Sequence, residues 1–418
     1  MRFLEGVKIV DLTSAIAGAL GTMVLGDMGA DVIKIEPPRG EHYRHAYDGA
    51  ILLATNRNKR GVALDLRTKE GQEIALKLAS KADIFMENFV PGTADKLGMG
   101  YDKVSQVNPR IIYCSVSGFG QSGPYSQRPA YDPVAQAMSG IMIATGEPNG
   151  KPCRQVTSFI DMTASLYAVC AILGCLLDRE KTGKGQRTDV SLLDTAVSAM
   201  GYYITQHSFT GKLPSRAGSG HIAWPLFQAF DTKDSPIWIG VSTDKFWVAF
   251  CQALKLDELA ADSRYSTGEG RRRHRDELIA EVSEICQQYS SAELESKLAA
   301  AGVPCGRLLN VAEVSQDPQI QLRQLIEEWD YPGIGKIKSV RSPMMISGEL
   351  PETRMQTPHL GEHTSQVLRE LGYSEEEIQQ LIEKGIAVQY KPQIWKQLRE
   401  ASLNIPRNVR RQRNTKIN

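Results

Sequence analysis

The chain has 418 residues and a mass of 46.2 kDa, which is more than one hydrophobic core usually holds and predicts two domains. Its 49 lysines and arginines nearly balance its 48 aspartates and glutamates, so no overall field favours nucleic acid or an anionic membrane surface as a partner. The seven cysteines are scattered and form no C-x-x-C pair, which argues against a disulfide scaffold and a zinc ribbon.

The beginning of the chain leads directly into a strand-like segment. It has no basic stretch followed by an apolar one, so no secretory signal is predicted and we expect a cytoplasmic protein. The longest apolar stretch, residues 166–177, is shorter than the roughly 20 residues that a membrane span needs. We therefore expect it to form a buried core helix and expect no membrane partner.

Strand-like and helical segments alternate in the first part of the chain. Residues 7–12 and 31–35 are rich in β-branched residues, and residues 17–28 between them have a helical composition, which together indicate a βαβ unit. The pattern recurs in predicted strands at 61–66, 82–87 and 111–115 and a predicted helix at 69–80. This order predicts an α/β fold whose parallel sheet carries helices on its faces.

The middle of the chain continues this pattern and then breaks it. Asp161 begins an apolar helix that the turn KTGKG at 181–185 should end, and a strand and a helix follow. Glycines and prolines in residues 211–225 indicate a linker or loop. A strand at 237–241, a helix at 244–254 and a further helix with a capping box at Ser290 predict a smaller α/β domain at 226–335. The basic segment 391–418 is predicted to be a solvated tail.

The motifs of several enzyme classes are missing from the sequence. The first βαβ unit has Gly18 and Gly21 in a G-x-x-G arrangement instead of the G-x-G-x-x-G of dinucleotide-binding proteins, so a nucleotide-binding dehydrogenase is a weak alternative. There is no nucleophile elbow, zincin motif, EF-hand or Walker A loop, and the histidines do not cluster at ligand spacing. No metal site is predicted.

Basic and amide side chains follow several of the predicted strands, where α/β folds bind ligands. Together they would suit a ligand with several phosphates, such as the 3′-phospho-ADP part of coenzyme A, although each alone is an ordinary solvated charge. These residues are Arg39, Asn58, Lys59, Arg60, Arg67 and Lys96.

Asp161 is a lone carboxylate at the start of an otherwise apolar helix. An aspartate is common as a helix N-cap, and this is the ordinary explanation. The alternative is a carboxylate nucleophile, which the positive end of the helix would keep ionised.

The sequence resembles the family III CoA-transferases, which include formyl-CoA:oxalate and carnitine CoA-transferases and the α-methylacyl-CoA racemases. The resemblance covers nearly the whole chain to about Ala387, in consistent order. It is carried by KIVDLTSAIAGALGTMVLGDMGADVIKIEPP, NRNKRGVALDL, ENFVPGTADKLGMGYD, NPRIIYCSVSGFGQSGP, YDPVAQAMSG, KTGKGQRTDVSLLD, AGVPCGRL and LGEHT.

The resemblance implies a Rossmann-like large domain formed by residues 1–210 and 336–390, a small domain between them, and an interlocked homodimer. It also implies that Asp161 is the nucleophile, that acyl-CoA and a free carboxylic acid are the substrates, and that no tightly bound cofactor is needed. The implied CoA contacts are Ala15, Ile16, Leu64, Arg67, Asn88, Phe89, Lys96 and Tyr131, with Arg39 added from the strand-end pattern.

Departures from the family's patterns narrow the substrate. Ile16 replaces a glutamine and Pro129 a lysine of formyl-CoA transferases, which argues against oxalate. Tyr131-Asp132 stands where the racemases have His-Asp, which disfavours proton exchange but leaves a racemase as an alternative.

A glycine loop beginning at Gly218 is short, as in the members that use dicarboxylic acids. The resemblance implies that its backbone amides face the oxyanion. The loop residues concerned are Gly218, Gly220 and His221. A succinate-like acid is the preferred substrate, and His221 and Arg154 are candidate partners for its far carboxylate, although a structural histidine and a surface arginine are equally good explanations.

Overall fold

The computed structural model describes residues 2–391, so all but the first residue of the predicted tail lies outside the described part of the chain. The chain forms two compact units. Among the described residues, the first contains 2–135, 157–198 and 321–391, and the second contains 136–156 and 199–320. The first unit thus combines segments from early and late in the chain.

Three sheets are found within the described residues: one of seven strands, one of three and one of two. The strands in chain order are β1 (Lys8–Asp11), β2 (Asp31–Glu36), β3 (Lys59–Leu64), β4 (Ile84–Glu87), β5 (Ile112–Ser117), β6 (Gln186–Ser191), β7 (Phe227–Phe230), β8 (Ile237–Gly240), β9 (Cys305–Arg307), β10 (Ile326–Tyr331), β11 (Gly335–Val340) and β12 (Ala387–Val388).

Helices cover the large sheet of the first unit and build most of the second unit. In chain order they are α1 (Ala19–Asp27), α2 (Ala50–Thr55), α3 (Lys69–Ala79), α4 (Thr93–Lys96), α5 (Tyr101–Val107), α6 (Asp132–Met138), α7 (Ile141–Ala144), α8 (Phe159–Thr182), α9 (Leu192–Ala199), α10 (Gly201–Thr210), α11 (Asp244–Leu254), α12 (Asp257–Ala261), α13 (Gly268–Arg273), α14 (Arg275–Cys286), α15 (Ser291–Ala300), α16 (Val311–Val314), α17 (Pro318–Leu322), α18 (Thr364–Glu370) and α19 (Glu375–Glu383).

The seven-stranded sheet has the order β12-β3-β2-β1-β4-β5-β6. Its strands pair in parallel, except that β12 is antiparallel to β3. The strand order reverses between β1 and β4, so the segments that follow these two strands diverge. In open α/β sheets ligands bind in the crevice at such a point, beyond the carboxyl ends of the strands.

Helix α8 packs one face against α1, β5 and β6. Gly21 permits the close approach of α1, because a Cβ added there would lie 3.1 Å from the carbonyl oxygen of Ser165. The helix ends where the sequence predicted, with Gly183 at φ 71° as its C-cap. By length and composition alone α8 could cross a membrane. Its other face is exposed, so the expected buried core helix is buried on one side only.

The second unit contains the antiparallel sheet β7-β8-β9 and the helices around it. The predicted strand at 237–241 and helix at 244–254 are confirmed, and so is the capping box of α15, where Ser290 and Glu293 exchange hydrogen bonds. Inward-facing apolar side chains such as Ile237, Trp247 and Phe250 form its core.

The boundary of the second unit differs from the prediction. Residues 211–225 are part of this unit, because Gly218 donates its N–H to the carbonyl oxygen of Gly146 at 3.0 Å. The guanidinium of Arg216 also donates to the carbonyl oxygens of Glu147 and Ile143, at 3.1 and 3.2 Å. These contacts join two segments that are far apart in sequence. Local composition, which predicted the linker, carries no information about such contacts.

Candidate active site

The turn after β1, residues 12–18, lies at the point where the strand order reverses. Asn88, directly after β4, fixes it: the side-chain carbonyl accepts from the N–H of Ser14 at 2.9 Å, and the amide nitrogen donates to the carbonyl oxygens of Ser14 (2.8 Å) and Ala17. The two strand ends at the crevice are therefore joined. Asn88 shapes the predicted CoA-binding turn through the turn's backbone.

Ala15 in this turn has a left-handed backbone conformation, with φ 60°. Such a conformation costs about 1 kcal/mol for a residue with a Cβ, so its surroundings must hold it. The N–H of Ala15 donates to Oε2 of Glu41 at 2.8 Å. Oε1 of Glu41 lies 3.0 Å from the ammonium of Lys34, which donates to the carbonyl oxygen of Thr13 at 2.7 Å. A buried ion pair thus supports the turn.

A second buried pair lies beneath the turn. The ammonium of Lys59 donates to Oδ2 of Asp11 at 2.9 Å, and to Ala19 and Asn56 at 2.8 Å. Both charged side chains are fully buried. Burial, reinforced by Lys34 and opposed by Asp11, lowers the pKa of Lys59 to about 8.

The prediction that Asn58 and Lys59 bind phosphate is wrong, because both side chains are buried within the fold and used there. Their neighbour Arg60 forms ion pairs with Asp31 and Glu370. These residues lie at the amino end of β3, which begins at Lys59, and their side chains are used within the fold, so they are not available to a ligand.

The other predicted CoA contacts differ in whether their side chains are exposed and can reach a ligand. Arg39 and Lys96 are exposed, so both remain candidate phosphate contacts. Arg67 is exposed as well and pairs with Asp65 at 2.6 Å. The side chain of Leu64 belongs to the apolar core and that of Phe89 packs partly against it, so the side chain of Leu64 cannot reach a ligand.

Asp161 is the third residue of α8, because Ser158 is the N-cap and makes no capping bond with its side chain. The cap comes from elsewhere: Oδ2 of Asp132 accepts from the N–H groups of Ile160 at 2.7 Å and Asp161 at 3.2 Å. Burial and the charge of Asp132 raise the pKa of Asp161 to about 7. Burial and Asp132 therefore oppose the ionisation that the helix N-terminus is expected to favour.

Ser165, one helical turn after Asp161, joins α8 to the turn after β1. Its hydroxyl oxygen accepts from the N–H of Gly18 at 3.0 Å and lies 3.0 Å from the carbonyl oxygen of Asp161 and 3.3 Å from that of Ile16. The hydroxyl is fully buried. Ser165 thus links the backbone of the predicted nucleophile Asp161 to the turn that contains the predicted CoA-binding residues Ala15 and Ile16.

Two tyrosines share the surroundings of Asp161. Burial, Tyr131 and Asp161 raise the pKa of Tyr43, which places these three groups within electrostatic reach of one another. Tyr131, a predicted CoA contact, is 71% exposed. The sequence analysis missed Tyr43, Asp132 as a cap, and Ser165, since each acts through contacts with distant parts of the chain.

The second unit holds the predicted glycine loop and its basic neighbours. Gly218 has φ 57°, and a Cβ there would meet the carboxylate of Glu147 at 2.7 Å; the ring nitrogen of Trp238 donates to the carbonyl oxygen of Ser219. His221 stacks on Trp224 with ring centres 4.4 Å apart. Arg154 is exposed. A side chain at 218 would therefore have to adopt an unfavourable left-handed backbone conformation and displace the carboxylate of Glu147.

The chemistry available at Asp161 follows from its isolation. Among residues 2–391, its carboxylate has neither a hydrogen-bond donor nor a cationic partner. A partly buried carboxylate without such partners is more basic and less shielded than a solvated one, and is suited to covalent attack or proton transfer.

The family model for CoA-transferase family III matches residues 4–364. The chain is similar to succinyl-CoA:glutarate CoA-transferase of Homo sapiens, with 37% identity over 93% of this chain and 90% of the human protein. It is also similar to succinyl-CoA:mesaconate CoA-transferase of Haloarcula marismortui, with 33% identity over 89% of this chain and 97% of that protein.

A solved structure gives the same result for the fold. The crystal structure of a CAIB/BAIF family protein from Brucella suis matches 88% of this chain and 99% of its own, with a TM-score of 0.80 and 35% identity. Together with the sequence similarity, this establishes that the chain belongs to CoA-transferase family III.

Proposed function

We propose that this enzyme transfers coenzyme A from an acyl-CoA, such as succinyl-CoA, to a free dicarboxylic acid through an aspartyl-CoA thioester on Asp161. Transfer of CoA to a dicarboxylate agrees with the names of the relatives, which include a succinyl-CoA:glutarate CoA-transferase. The observation that carries the role of Asp161 is its partly buried carboxylate without a hydrogen-bond donor or cation among the described residues, on a backbone that Ser165 links to the turn after β1.

The proposed reaction begins with attack of a carboxylate oxygen of Asp161 on the thioester carbonyl carbon. The C–S bond breaks, CoA thiolate leaves with the electron pair, and a mixed anhydride remains. The thiolate then attacks the carbonyl carbon of Asp161, giving the aspartyl-CoA thioester and releasing the donor acid as a carboxylate. The acceptor carboxylate repeats these steps in reverse. No net proton transfer and no redox step is required.

The turn after β1 is the proposed support for the CoA thioester. Its conformation is fixed before binding by Asn88, Glu41 and Ser165, and such preorganisation lowers the entropy lost on reaching the transition state. Backbone N–H groups of the glycine loop at Gly218 and Gly220 are proposed to stabilise the oxyanion and exclude water, since water would hydrolyse the anhydride.

His221 and Arg154 are the proposed partners of the far carboxylate of the acid. Nδ1 of His221 accepts from the N–H of Ala223 at 3.1 Å, so in the neutral ring the proton is on Nε2, which can then donate to a carboxylate. Arg154 is a permanent cation on the exposed stretch 147–157.

We expect Arg154→Ala to reduce the preference for dicarboxylic acids. The ratio of kcat/KM for glutarate to that for butyrate should fall about tenfold or more, the worth of one charged hydrogen bond. Lys151→Ala removes a neighbouring exposed cation on the same segment and should leave the ratio unchanged. An unchanged ratio in Arg154→Ala would remove Arg154 from the proposal.

The covalent step is tested by the intact mass of the protein after exposure to succinyl-CoA, with and without hydroxylamine. We expect a CoA-sized increment without hydroxylamine and a hydroxamate-sized one with it, both lost in Asp161→Ala. The same adduct in Asp161→Ala would assign the nucleophile elsewhere, and no adduct across a panel of acyl-CoAs would contradict the covalent mechanism.

The alternatives of the sequence analysis have less support. An acyl-CoA racemase would need an acid–base residue where Tyr131 stands, and the names of the relatives are those of transferases. The family match favours the transferase over a dehydrogenase. A homodimer in the cytoplasm is part of the proposal: the exposed face of α8 carries the apolar side chains of Met162, Leu166 and Tyr167, which a second copy of the chain would cover.

A further inference from the structure

Asp132 provides the helix cap at the proposed nucleophile. It is the first residue of α6 and 1% exposed. Its Oδ2 accepts two hydrogen bonds from the backbone at the start of α8, from Ile160 at 2.7 Å and from Asp161 at 3.2 Å. Since the N-cap Ser158 makes no such bond, Asp132 replaces the local cap and fixes the backbone of Asp161 itself.

The same geometry places a second negative charge beside the Asp161 carboxylate. On the side of Asp161 itself, residues 12–26, which form the turn after β1 and most of α1, contain no ionisable side chain. Tyr43, on the segment after β2, is a neutral phenol at physiological pH and is itself affected by Asp161. Nearby carboxylates disfavour each other's ionisation, and the charge of Asp132 contributes, after burial, to the raised pKa of Asp161.

We propose that Asp132 is a positioning residue that also strengthens Asp161 as a nucleophile, by fixing the first turn of α8 and by holding a negative charge next to it. This inference rests on the proposed role of Asp161. In the first half of the reaction the negative charge of Asp161 departs with the donor carboxylate, and Asp161 becomes a neutral acyl group. The repulsion from Asp132 is then relieved, which favours the covalent intermediate.

Two variants separate the charge of Asp132 from its hydrogen bonds. Asp132→Asn keeps a side-chain oxygen for the two N–H groups but loses the charge, and Asp132→Glu keeps the charge but shifts the cap by one methylene. The titration of Asp161 is followed by carboxyl ¹³C NMR of aspartate-labelled protein, with the signal assigned by its loss in Asp161→Asn. This readout does not depend on catalysis.

We expect the titration midpoint of Asp161 to fall by about one pH unit or more, a tenfold change in acidity, in Asp132→Asn and to stay near that of the wild type in Asp132→Glu. At pH 8, Asp132→Asn should lower kcat for transfer from succinyl-CoA to glutarate more than it changes KM. Asp317→Asn is the matched control, because Asp317 caps α17 with two similar bonds, to Gln319 and Ile320; it should leave the midpoint unchanged.

An unchanged midpoint and unchanged kcat in Asp132→Asn would overturn the inference and leave Asp132 as a cap alone. If Asp132→Asn does not fold, Asp132→Ser decides, because a serine hydroxyl is a good helix cap and carries no charge: a lowered midpoint supports the role of the charge, and a retained one overturns it. A midpoint that depends on Asp132, in a wild-type protein that transfers no CoA from any acyl-CoA, would support the electrostatic inference and contradict the proposed function instead.

Discussion

Asp161→Asn should transfer CoA at least about a thousandfold more slowly than the wild type, because the amide is not a nucleophile and no other group replaces it. The measurement is kcat for CoA transfer from succinyl-CoA to glutarate, with the variant's mass checked so that deamidation back to aspartate is not counted as residual activity. A rate within tenfold of the wild type would show that Asp161 does not form the intermediate.

The same variant should be more stable than the wild type at alkaline pH. The folded state holds Asp161 with a pKa of about 7, above the ordinary value of 3.8, so the folded protein retains a proton that the unfolded chain has released. The free energy of unfolding therefore falls as the pH rises from about 4 to 7, and remains lower above it. Asp161→Asn removes this penalty, which is on the order of 4 kcal/mol at pH 8 because each pKa unit is worth about 1.4 kcal/mol.

The ionisation of Asp161 should therefore affect activity and stability in opposite directions. Activity of the wild type should decline as the pH falls through about 7, where Asp161 becomes protonated, while the stability advantage of Asp161→Asn should shrink towards pH 4. Thermal unfolding at pH 8 and pH 4.5 measures the second effect. Equal stabilities at both values would contradict the raised pKa, and a loss of activity could then not be assigned to a buried carboxylate.

Periodicity predicted the elements of the fold well where the information is local. The strand at 31–35 and the helices at 69–80 and 244–254 lie within a residue or so of the observed elements. The single helix predicted after β6 is in fact two, α9 and α10, separated at Met200. The hairpin of β10 and β11 was not predicted at all.

The surroundings of the proposed nucleophile could not be predicted, because they depend on contacts between distant residues. Local spacing favoured Asp161 as the N-cap of the apolar helix. In the structure the side chain of Asp132, 29 residues earlier, caps this helix. Sequence also cannot separate a cation at a strand end that faces solvent from one that faces the interior. Arg39 and Lys59 follow the same pattern, and only Arg39 is exposed.

Lys59→Met should be the most destabilising of the substitutions considered, because it leaves the buried carboxylate of Asp11 without its cation. The ammonium donates one hydrogen bond each to Asp11, Ala19 and Asn56. The substitution therefore also leaves the backbone carbonyl oxygen of Ala19 and the side-chain oxygen of Asn56 without this donor. Breaking a buried pair from one side costs about 3–5 kcal/mol.

A neighbouring pair provides the control. Arg60→Met breaks pairs with Asp31 and Glu370, whose side chains are 40% and 47% exposed, so water can replace the lost partner and the cost should be about 1 kcal/mol. Adding Asp11→Asn to Lys59→Met removes the unpaired charge and should recover part of the loss. Urea unfolding of the three variants measures these differences. If Lys59→Met were as mild as Arg60→Met, burial would not make the Lys59–Asp11 pair more important to the fold than the partly exposed pairs of Arg60, and the premise of this prediction would be wrong.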